Sequence, residues 1–541
     1  MTYERHVLLV EDSESAGADI CLWLDEEEYR VTVCRSLDAA KEQLRRDHFH
    51  VALVDISLSP NDNRNIDGYR LIEWISEHPA FKDVLPCIVL TAHDFGDLAE
   101  AGYGRLPVKG WVRKKTQYRD DLLRNLSEVF TQWVDVNWKL EYDADGRQKL
   151  PQMAGHILWP EGESKPEESL LIEEIRDLLG KRFRDASRVY FRELTKGLSG
   201  AAVIRVDAKW DGDYPPGVVL KIGRRDKIET EYHNYKKFVK NHLPPNTAAD
   251  AQVDYSGYLG AIQYRFAEDS HRTIPEFDVF FATEATEQVK EALRSLFTDT
   301  CRFWYATPDP EFKNLVTVYF DALNLSEDKL ATRIGFFLPN FDPNVPCLTL
   351  PDQPAPLTNP LDWLHNHRDD CTVKVYQSIS HGDLTGRNIF VNVQGHCWLI
   401  DFFRTYRSHL LRDHAILETD IKYRLLPELF SLRGREEAYS RDQYERMEQA
   451  LSRGQVSDGD ELLPEVAKAT VAVLTIRELA EELMSRYHRH EDNISRQILL
   501  SRLITTLNVT RLRHIEPRYK LWALMTAACI CEELDRLPQP R

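Results

Sequence analysis

Short apolar runs alternate with amphipathic stretches over residues 5–130. His6–Val10, Tyr29–Cys34, Phe49–Ile56, Cys87–Ala92 and Gly110–Lys114 read as five strands, and helical patterns follow them, the clearest over Leu37–Arg46. Alternating βα units predict an α/β domain with a doubly wound, five-stranded parallel sheet. In that architecture the active site lies at the carboxyl ends of the strands.

The pattern then changes. Residues 131–168 carry Trp133, Trp138 and Trp159, a turn at Asp143–Gly146 and an acidic run at Glu161–Glu168, which reads as a linker with a small strand pair that packs against something. From residue 170 a helix leads into a strand-rich segment. Val203–Trp210 and Gly217–Ile222 flank a turn over 211–216, a helix follows near Lys227–Val239, and Tyr258–Phe266 is a further strand. Residues 275–541 are mainly helical, with one apolar hairpin around Ile389–Phe402. The expected organisation is 1–130, an α/β domain; 131–168, a linker; 169–270, a small β-rich lobe; and 271–541, a large helical lobe. The last two make an α+β bilobal domain.

Composition narrows the class. The chain has 541 residues, 43 % of them hydrophobic, and a formal net charge of −18. That balance argues against nucleic acid as a partner, since a binder carries a basic patch or stripe. Clusters such as Lys221–Arg225 read as local anion sites or solvated faces. Nine cysteines with no CxxC pair indicate reduced thiols, not a disulfide framework or a zinc site. The start MTYERHVLLVEDSES has no secretory apolar region, and the longest apolar run, Leu521–Cys531, is too short to span a bilayer. The expectation is a cytoplasmic protein with no membrane partner.

The chemistry of the first domain sits where its strands end. HVLLVED ends in Glu11 and Asp12, and FHVALVD ends in Asp55. Three carboxylates at adjacent strand ends form a hard oxygen cage for Mg²⁺. Asp55 can then act as nucleophile toward phosphate, with the metal offsetting charge on both. CIVLTA supplies the Thr91 hydroxyl and GWVRKK the Lys114 ammonium, both suited to phosphoryl oxygens. Over about 125 residues this order resembles the receiver domains of response regulators, as does the pair Asp67-Gly68 after the third strand. The resemblance implies phosphorylation of Asp55 by an upstream histidine kinase and makes Trp111 the switch aromatic. It also allows a homodimer formed through the receiver. The proline that usually follows the lysine in that family is replaced by Lys115.

The sharpest string of the chain is ISHGDLTGRNIFVNVQGHCWLIDFF, which places Asp383 and Asn388 five residues apart and Asp401 13 further on, across a hairpin. Phosphoryl transfer needs few protein parts: a carboxylate to orient or deprotonate the attacking hydroxyl, and oxygen ligands for Mg²⁺. Upstream, LTKGLSGAAVIRV offers Gly197, Ser199 and Gly200, whose backbone N–H groups can approach phosphates. VVLKIG then sets Lys221 in an otherwise apolar strand, a costly position without an anionic partner.

The loop has the spacing HxDxxxxN, and His-Gly-Asp resembles the aminoglycoside phosphotransferase and choline kinase group of the kinase-like fold. Over roughly residues 170–535 that resemblance implies Asp383 as catalytic base, and Asn388 and Asp401 as Mg²⁺ ligands. His381 would hold the loop, and Asp413 would brace it. Lys221 would pair with the phosphates of ATP and with a helix Glu, for which Glu231 is preferred over Glu229. Tyr258–Phe266 falls where such folds bind adenine. Phe403 stands at the third position of the usual Asp-Phe-Gly. The glycine-rich block and HGDLTGRNIFV are also similar to a bacterial phosphotransferase-like family associated with signalling and conflict systems.

Two classes of function fit these residues. One is a response regulator whose output is an ATP- and Mg²⁺-dependent phosphotransferase acting on a hydroxyl acceptor. The other is a kinase-like pseudoenzyme that senses nucleotide or displays a surface to a partner. The presence of Lys221, Asp383, Asn388 and Asp401 together favours the enzyme. The acceptor is left open, since the fold hosts unlike activities. The aromatics of 268–375 (Phe277, Phe280, Phe281, Trp304, Tyr305, Phe336, Phe337, Trp363) read most simply as a helical core.

Overall fold

The five N-terminal apolar runs form the strands β1 (Arg5–Val10), β2 (Tyr29–Cys34), β3 (Val51–Asp55), β4 (Cys87–Thr91) and β5 (Val108–Arg113). They appear in a computed structural model that describes residues 3–59, 65–92, 108–115, 117–143, 146–193, 200–210, 217–244, 250–265, 274–350, 355–487 and 491–538. All five are parallel, in the order β2-β1-β3-β4-β5. The central strands are mostly apolar and buried because both of their faces are covered, whereas the edge strands β2 and β5 are partly exposed. The covering helices include α1 (Glu14–Glu26), α2 (Leu37–Arg46) and α3 (Asp67–Glu77). Ser13 and Ser36 cap the first two by accepting the Ala16 and Ala39 N–H groups at 3.4 and 3.3 Å.

Packing divides the chain into two compact units. Residues 3–232 with 250–265 form one, and residues 233–244 with 274–538 form the other. The receiver-like sheet therefore shares a unit with the β-rich segment that follows it.

The linker differs from expectation. No strand pair forms within its described residues. Instead β6 (Glu141–Tyr142) pairs in parallel with β7 (Arg188–Glu193), and Gly146 opens a helix, Gly146–His156. Leu150, Met153, Ala154 and Ile157 of that helix and its end are buried, so the linker supplies core to the second sheet. Trp138 stacks on Tyr3 at 5.2 Å, while Trp133 is largely exposed. The second sheet has the order β10-β11-β9-β8-β7-β6, with β8 (Ala202–Lys209), β9 (Val218–Arg224), β10 (Asp250–Ser256) and β11 (Leu259–Arg265). The helix Glu168–Arg182 packs on it through Leu171, Ile175, Leu178 and Leu179.

The two sheets of this unit meet at the amino-terminal ends of the receiver strands. The stretch His48–His50 lies at this junction; Phe49 and His50, expected to open the third strand, precede β3, which starts at Val51. Tyr3 Oη lies 2.8 Å from His50 Nε2, and His48 Nε2 lies 3.9 Å from Asp177, which Lys181 neutralises at 2.7 Å. Burial pushes both His6 and His48 down to about 4, so both are neutral at pH 7. Their folded values lie below the ordinary 6.5, so the unfolded chain binds protons first and the stabilisation is lost as pH falls from 6.5 toward 4. Replacing His48 by Gln removes one such group. The stability difference between wild type and His48→Gln should shrink by roughly 1 kcal/mol per pH unit across that window. Urea unfolding at pH 6.5 and 5.0 measures it, and a pH-independent difference would show that His48 titrates normally. Using the difference cancels the opposite contributions of Glu11, Asp55 and Glu174, which burial raises.

The second unit is mostly helical, as its sequence indicates. The long helices Pro464–Ser485, Glu491–Val509 and Pro517–Asp535 form much of it. The run Leu521–Cys531 lies inside the last of these and is mostly buried, and among the described residues no helix is long and apolar enough to cross a membrane. The expected hairpin is present as Ile389–Val391 and Cys397–Leu399. A three-stranded antiparallel sheet of Asp309–Asn314, Thr372–Ser380 and Tyr406–His409 was not expected. Of the aromatics assigned to the helical core, Phe277, Phe280, Phe281, Trp304, Tyr305 and Trp363 are buried, but Phe336 is 73 % exposed.

Candidate functional site

The candidate residues fall into three groups. The first is at the carboxyl ends of the receiver strands. Lys114 Nζ lies 2.5 Å from Glu11 and 2.6 Å from Asp55. Oxygens of Glu11, Asp12 and Asp55 lie within 4.8 Å of one another. Burial raises both Glu11 and Asp55, with Lys114 opposing. Burial works against the charge of Lys114 too, but Asp55 and Glu11 outweigh it and raise its pKa. Three crowded carboxylates facing one ammonium leave negative charge to be neutralised, and an all-oxygen set suits a hard divalent ion such as Mg²⁺. Thr91, buried, ends β4, its carbonyl accepting the Lys114 N–H at 2.7 Å, and Trp111 on β5 packs against the receiver core. Gly68 is dictated by geometry: a Cβ there would lie 1.8 Å from the Asp55 carbonyl oxygen.

The second group is on the six-stranded sheet. Lys221 sits mid-strand in β9, paired with Val203 and Ile262 across the ladder, and is 5 % exposed. Its Nζ lies 2.8 Å from Glu231, which is 1 % exposed and also accepts the Tyr264 hydroxyl proton. Glu229 instead pairs with Arg225, four residues before it on the same helix. A buried pair costs desolvation, so a mid-sheet lysine with a carboxylate partner is weak evidence for stability and stronger evidence for a role. Gly200 has φ of +71° just before β8. Gly197 and Ser199 lie outside the described residues.

The third group is in the second unit. His381 is fully buried; its Nδ1 accepts the Asp383 N–H at 3.3 Å and its Nε2 lies 2.8 Å from the Ile400 carbonyl, which fixes the ring's orientation. Asp413 accepts the His381 N–H, the Gly382 N–H and the Ser380 hydroxyl at 2.8, 2.9 and 2.9 Å. Gly382 has φ of +80°, and a Cβ would lie 2.3 Å from the Arg404 carbonyl oxygen. Asn388 Nδ2 donates to the Asp383 carbonyl at 2.7 Å, and the Asn388 carbonyl accepts the Ile400 N–H at 3.1 Å. The loop and the strand leading to Asp401 are thus tied together. Asp401, 9 % exposed, has φ of +66°, a left-handed conformation that Asp tolerates better than most residues. Asn234 donates to the Phe402 and Phe403 carbonyls at 3.1 and 2.9 Å, holding the segment that follows.

One feature of this loop escaped sequence reasoning. Asp420 accepts the Gly386 N–H at 2.8 Å and is held by Arg424, which also grips Asp278 at 2.6 Å. The signal was an Asp and an Arg four apart, the spacing that puts both on one face of a helix.

The comparisons with known proteins follow this division. The model of the ternary complex associated domain 9 family matches residues 186–328 and 352–505, more than half of the chain. The chain belongs to that family. The family's match spans the six-stranded sheet from β7 on, the histidine-containing loop and most of the helices. Residues 7–125 match the response regulator receiver domain and are one. Solved structures similar to the chain include the receiver domain of a sensor histidine kinase from Pseudomonas aeruginosa PAO1, with a magnesium ion coordinated in its active-site cleft. It is 25 % identical and covers 24 % of this chain and 97 % of its own, with a TM-score of 0.20. A response regulator receiver domain protein from Methanospirillum hungatei JF-1 is 19 % identical, covering 24 % of this chain and 96 % of its own, TM-score 0.20. The chemotaxis response regulator CheY4 of Vibrio cholerae is 21 % identical, covering 23 % and 98 %, TM-score 0.20. No curated protein matches the chain.

Proposed function

We propose that this receiver-bearing member of the ternary complex associated domain 9 family is a response regulator whose output is an ATP-dependent phosphotransferase of the kinase-like fold, working in the cytoplasm. The observation that carries the reading is the loop Ser380–Asn388: buried, pinned by Asp413 and His381, and holding a partly exposed Asp383 beside Asn388 and the segment leading to Asp401. The buried Lys221–Glu231 pair supports it independently.

In this reading Asp383 orients the acceptor hydroxyl and takes its proton as the hydroxyl oxygen bonds to the γ-phosphorus and the bond to the ADP oxygen breaks. Lys221, aimed by Glu231, pairs with phosphate oxygens of ATP. Asn388 and Asp401 would hold Mg²⁺, which when bound neutralises charge on the phosphates. At the receiver, Asp55 takes a phosphoryl group from the phosphohistidine of an upstream histidine kinase; Glu11, Asp12 and Asp55 would hold a second Mg²⁺, and Lys114 and Thr91 would receive the phosphoryl oxygens. Phosphorylation of Asp55 sets the output.

The test is incubation of the full-length protein with γ-labelled ATP and Mg²⁺ in cell extract. Label should appear on a hydroxyl-bearing acceptor, small molecule or protein. Nucleotide binding with no transfer to any component would support a nucleotide-sensing pseudoenzyme instead.

A further inference from the structure

Within the first unit a continuous line of contacts starts directly behind Asp55. Gly68, in the first turn of α3, lies against the Asp55 carbonyl so closely that no side chain fits between them, and its N–H donates to Ile56 at 3.1 Å. The 11-residue helix α3 then spans about 16 Å to the opposite end of the receiver sheet. There the chain folds into a compact turn, in which Phe81 and Lys82 N–H groups bond back to His78 at 3.0 and 2.9 Å.

That turn holds Arg225. Its Nη1 donates to the Ala80 and Lys82 carbonyls at 3.4 and 3.0 Å, its Nε pairs with Glu229 at 2.7 Å, and its guanidinium lies 5.0 Å from the centre of the Tyr255 ring. Arg225 is 9 % exposed. A buried guanidinium needs its donors satisfied, and two of its acceptors are receiver backbone that no output-domain residue replaces. Beside it, Phe81 packs edge-on to Tyr258 at 6.0 Å, and the Tyr258 carbonyl accepts the Arg225 N–H at 2.8 Å. Arg225 is also the first residue of the helix Arg225–Asn234, whose Glu231 holds Lys221. Six residues of helix place Glu231 about 9 Å along the axis from Arg225.

We propose that the receiver turn 78–83 is the regulatory contact of the output domain, and that Arg225 is the positioning residue that converts a displacement of α3 into a change in the set of Glu231 against Lys221. This rests on the reading of Lys221 and Glu231 as phosphate-binding machinery only for its consequence; the mechanical link itself needs no ATP. The route is a chain of contacts, Asp55 to Gly68, α3 to the turn, turn to Arg225, and Arg225 to the Glu231 helix.

The test is hydrogen exchange on the full-length protein in Mg²⁺, with and without beryllofluoride as the phosphate mimic at Asp55, its binding confirmed by fluorine NMR. In wild type the mimic should change exchange of the amides in 225–234 by about 5-fold or more, the lower end of typical coupling. In Arg225→Ala that response should vanish, while the first turn of α3 still responds to the mimic. Arg225→Lys retains the charge but has no second nitrogen to bond Glu229 while the first serves the Ala80 and Lys82 carbonyls, and should keep the fold while losing most of the response. An unchanged response in both variants, or no response of 225–234 in wild type with the mimic bound, would overturn the proposal. These measurements involve no nucleotide, so absence of phosphotransferase activity would leave their outcome standing.

Discussion

Replacing Asp383 by Ala should lower the rate of phosphate transfer by about 10²–10⁴-fold while leaving ATP affinity within a few-fold of wild type. The separation follows from what holds the loop. Its conformation depends on main-chain groups and on other side chains: the Asp383 N–H donates to His381, the Asp383 carbonyl accepts Asn388 Nδ2, and Asp413 binds the two preceding N–H groups and Ser380. None of these bonds uses the Asp383 carboxylate. Ala at this position therefore leaves those bonds in place and removes the carboxylate proposed to act on the acceptor hydroxyl. Steady-state kinetics of transfer and a separate nucleotide titration measure the two quantities. A variant that bound ATP weakly but retained its turnover would assign Asp383 to nucleotide binding and contradict its role as the base.

Asp401→Asn should abolish productive use of Mg·ATP, with a loss of at least roughly 10²-fold from the several kcal/mol that a bound divalent ion supplies. The substitution is chosen for its backbone. Asp401 has φ of +66°, and Asn accepts that conformation, so shape and fold are retained while the charge is lost. The segment beyond it is held independently through the Asn234 bonds to Phe402 and Phe403. Thermal unfolding of the free protein should be close to wild type, whereas Mg²⁺ should no longer enhance nucleotide binding. Transfer at the wild-type rate would remove Asp401 from the site.

The receiver was the most legible part of the chain. Its strands are apolar runs because the central ones are buried on both faces, and its site residues fall at strand ends, where a pattern of runs already marks them. The His-Gly-Asp loop was legible for a similar reason: its residues are close in sequence, so their spacing carries their geometry. Glu231 was preferred over Glu229 from the sequence, and the structure pairs Glu231 with Lys221 and Glu229 with Arg225. The strand Asp309–Asn314 escaped notice because it is a sheet edge, with every residue of Asp309–Phe312 exposed and no alternation to read. Two-residue β6 is too short for any period. The junction of the receiver with the second sheet was the least legible feature. Its contacts join residues far apart in sequence, such as His48 with Asp177 and Arg225 with Lys82, and no local pattern marks them.

If one chain couples a phosphorylatable Asp55 to phosphate transfer from ATP, the mimic at Asp55 must change the transfer rate. The most direct measurement is the rate of γ-labelled phosphate transfer by the full-length protein to the acceptor found in extract, with and without beryllofluoride, beside Asp55→Ala treated in the same way. A coupling energy of about 1–3 kcal/mol predicts a change of roughly 5–150-fold in wild type and none in Asp55→Ala. Equal rates with the mimic shown to bind, or no transfer under either condition, would contradict that coupling.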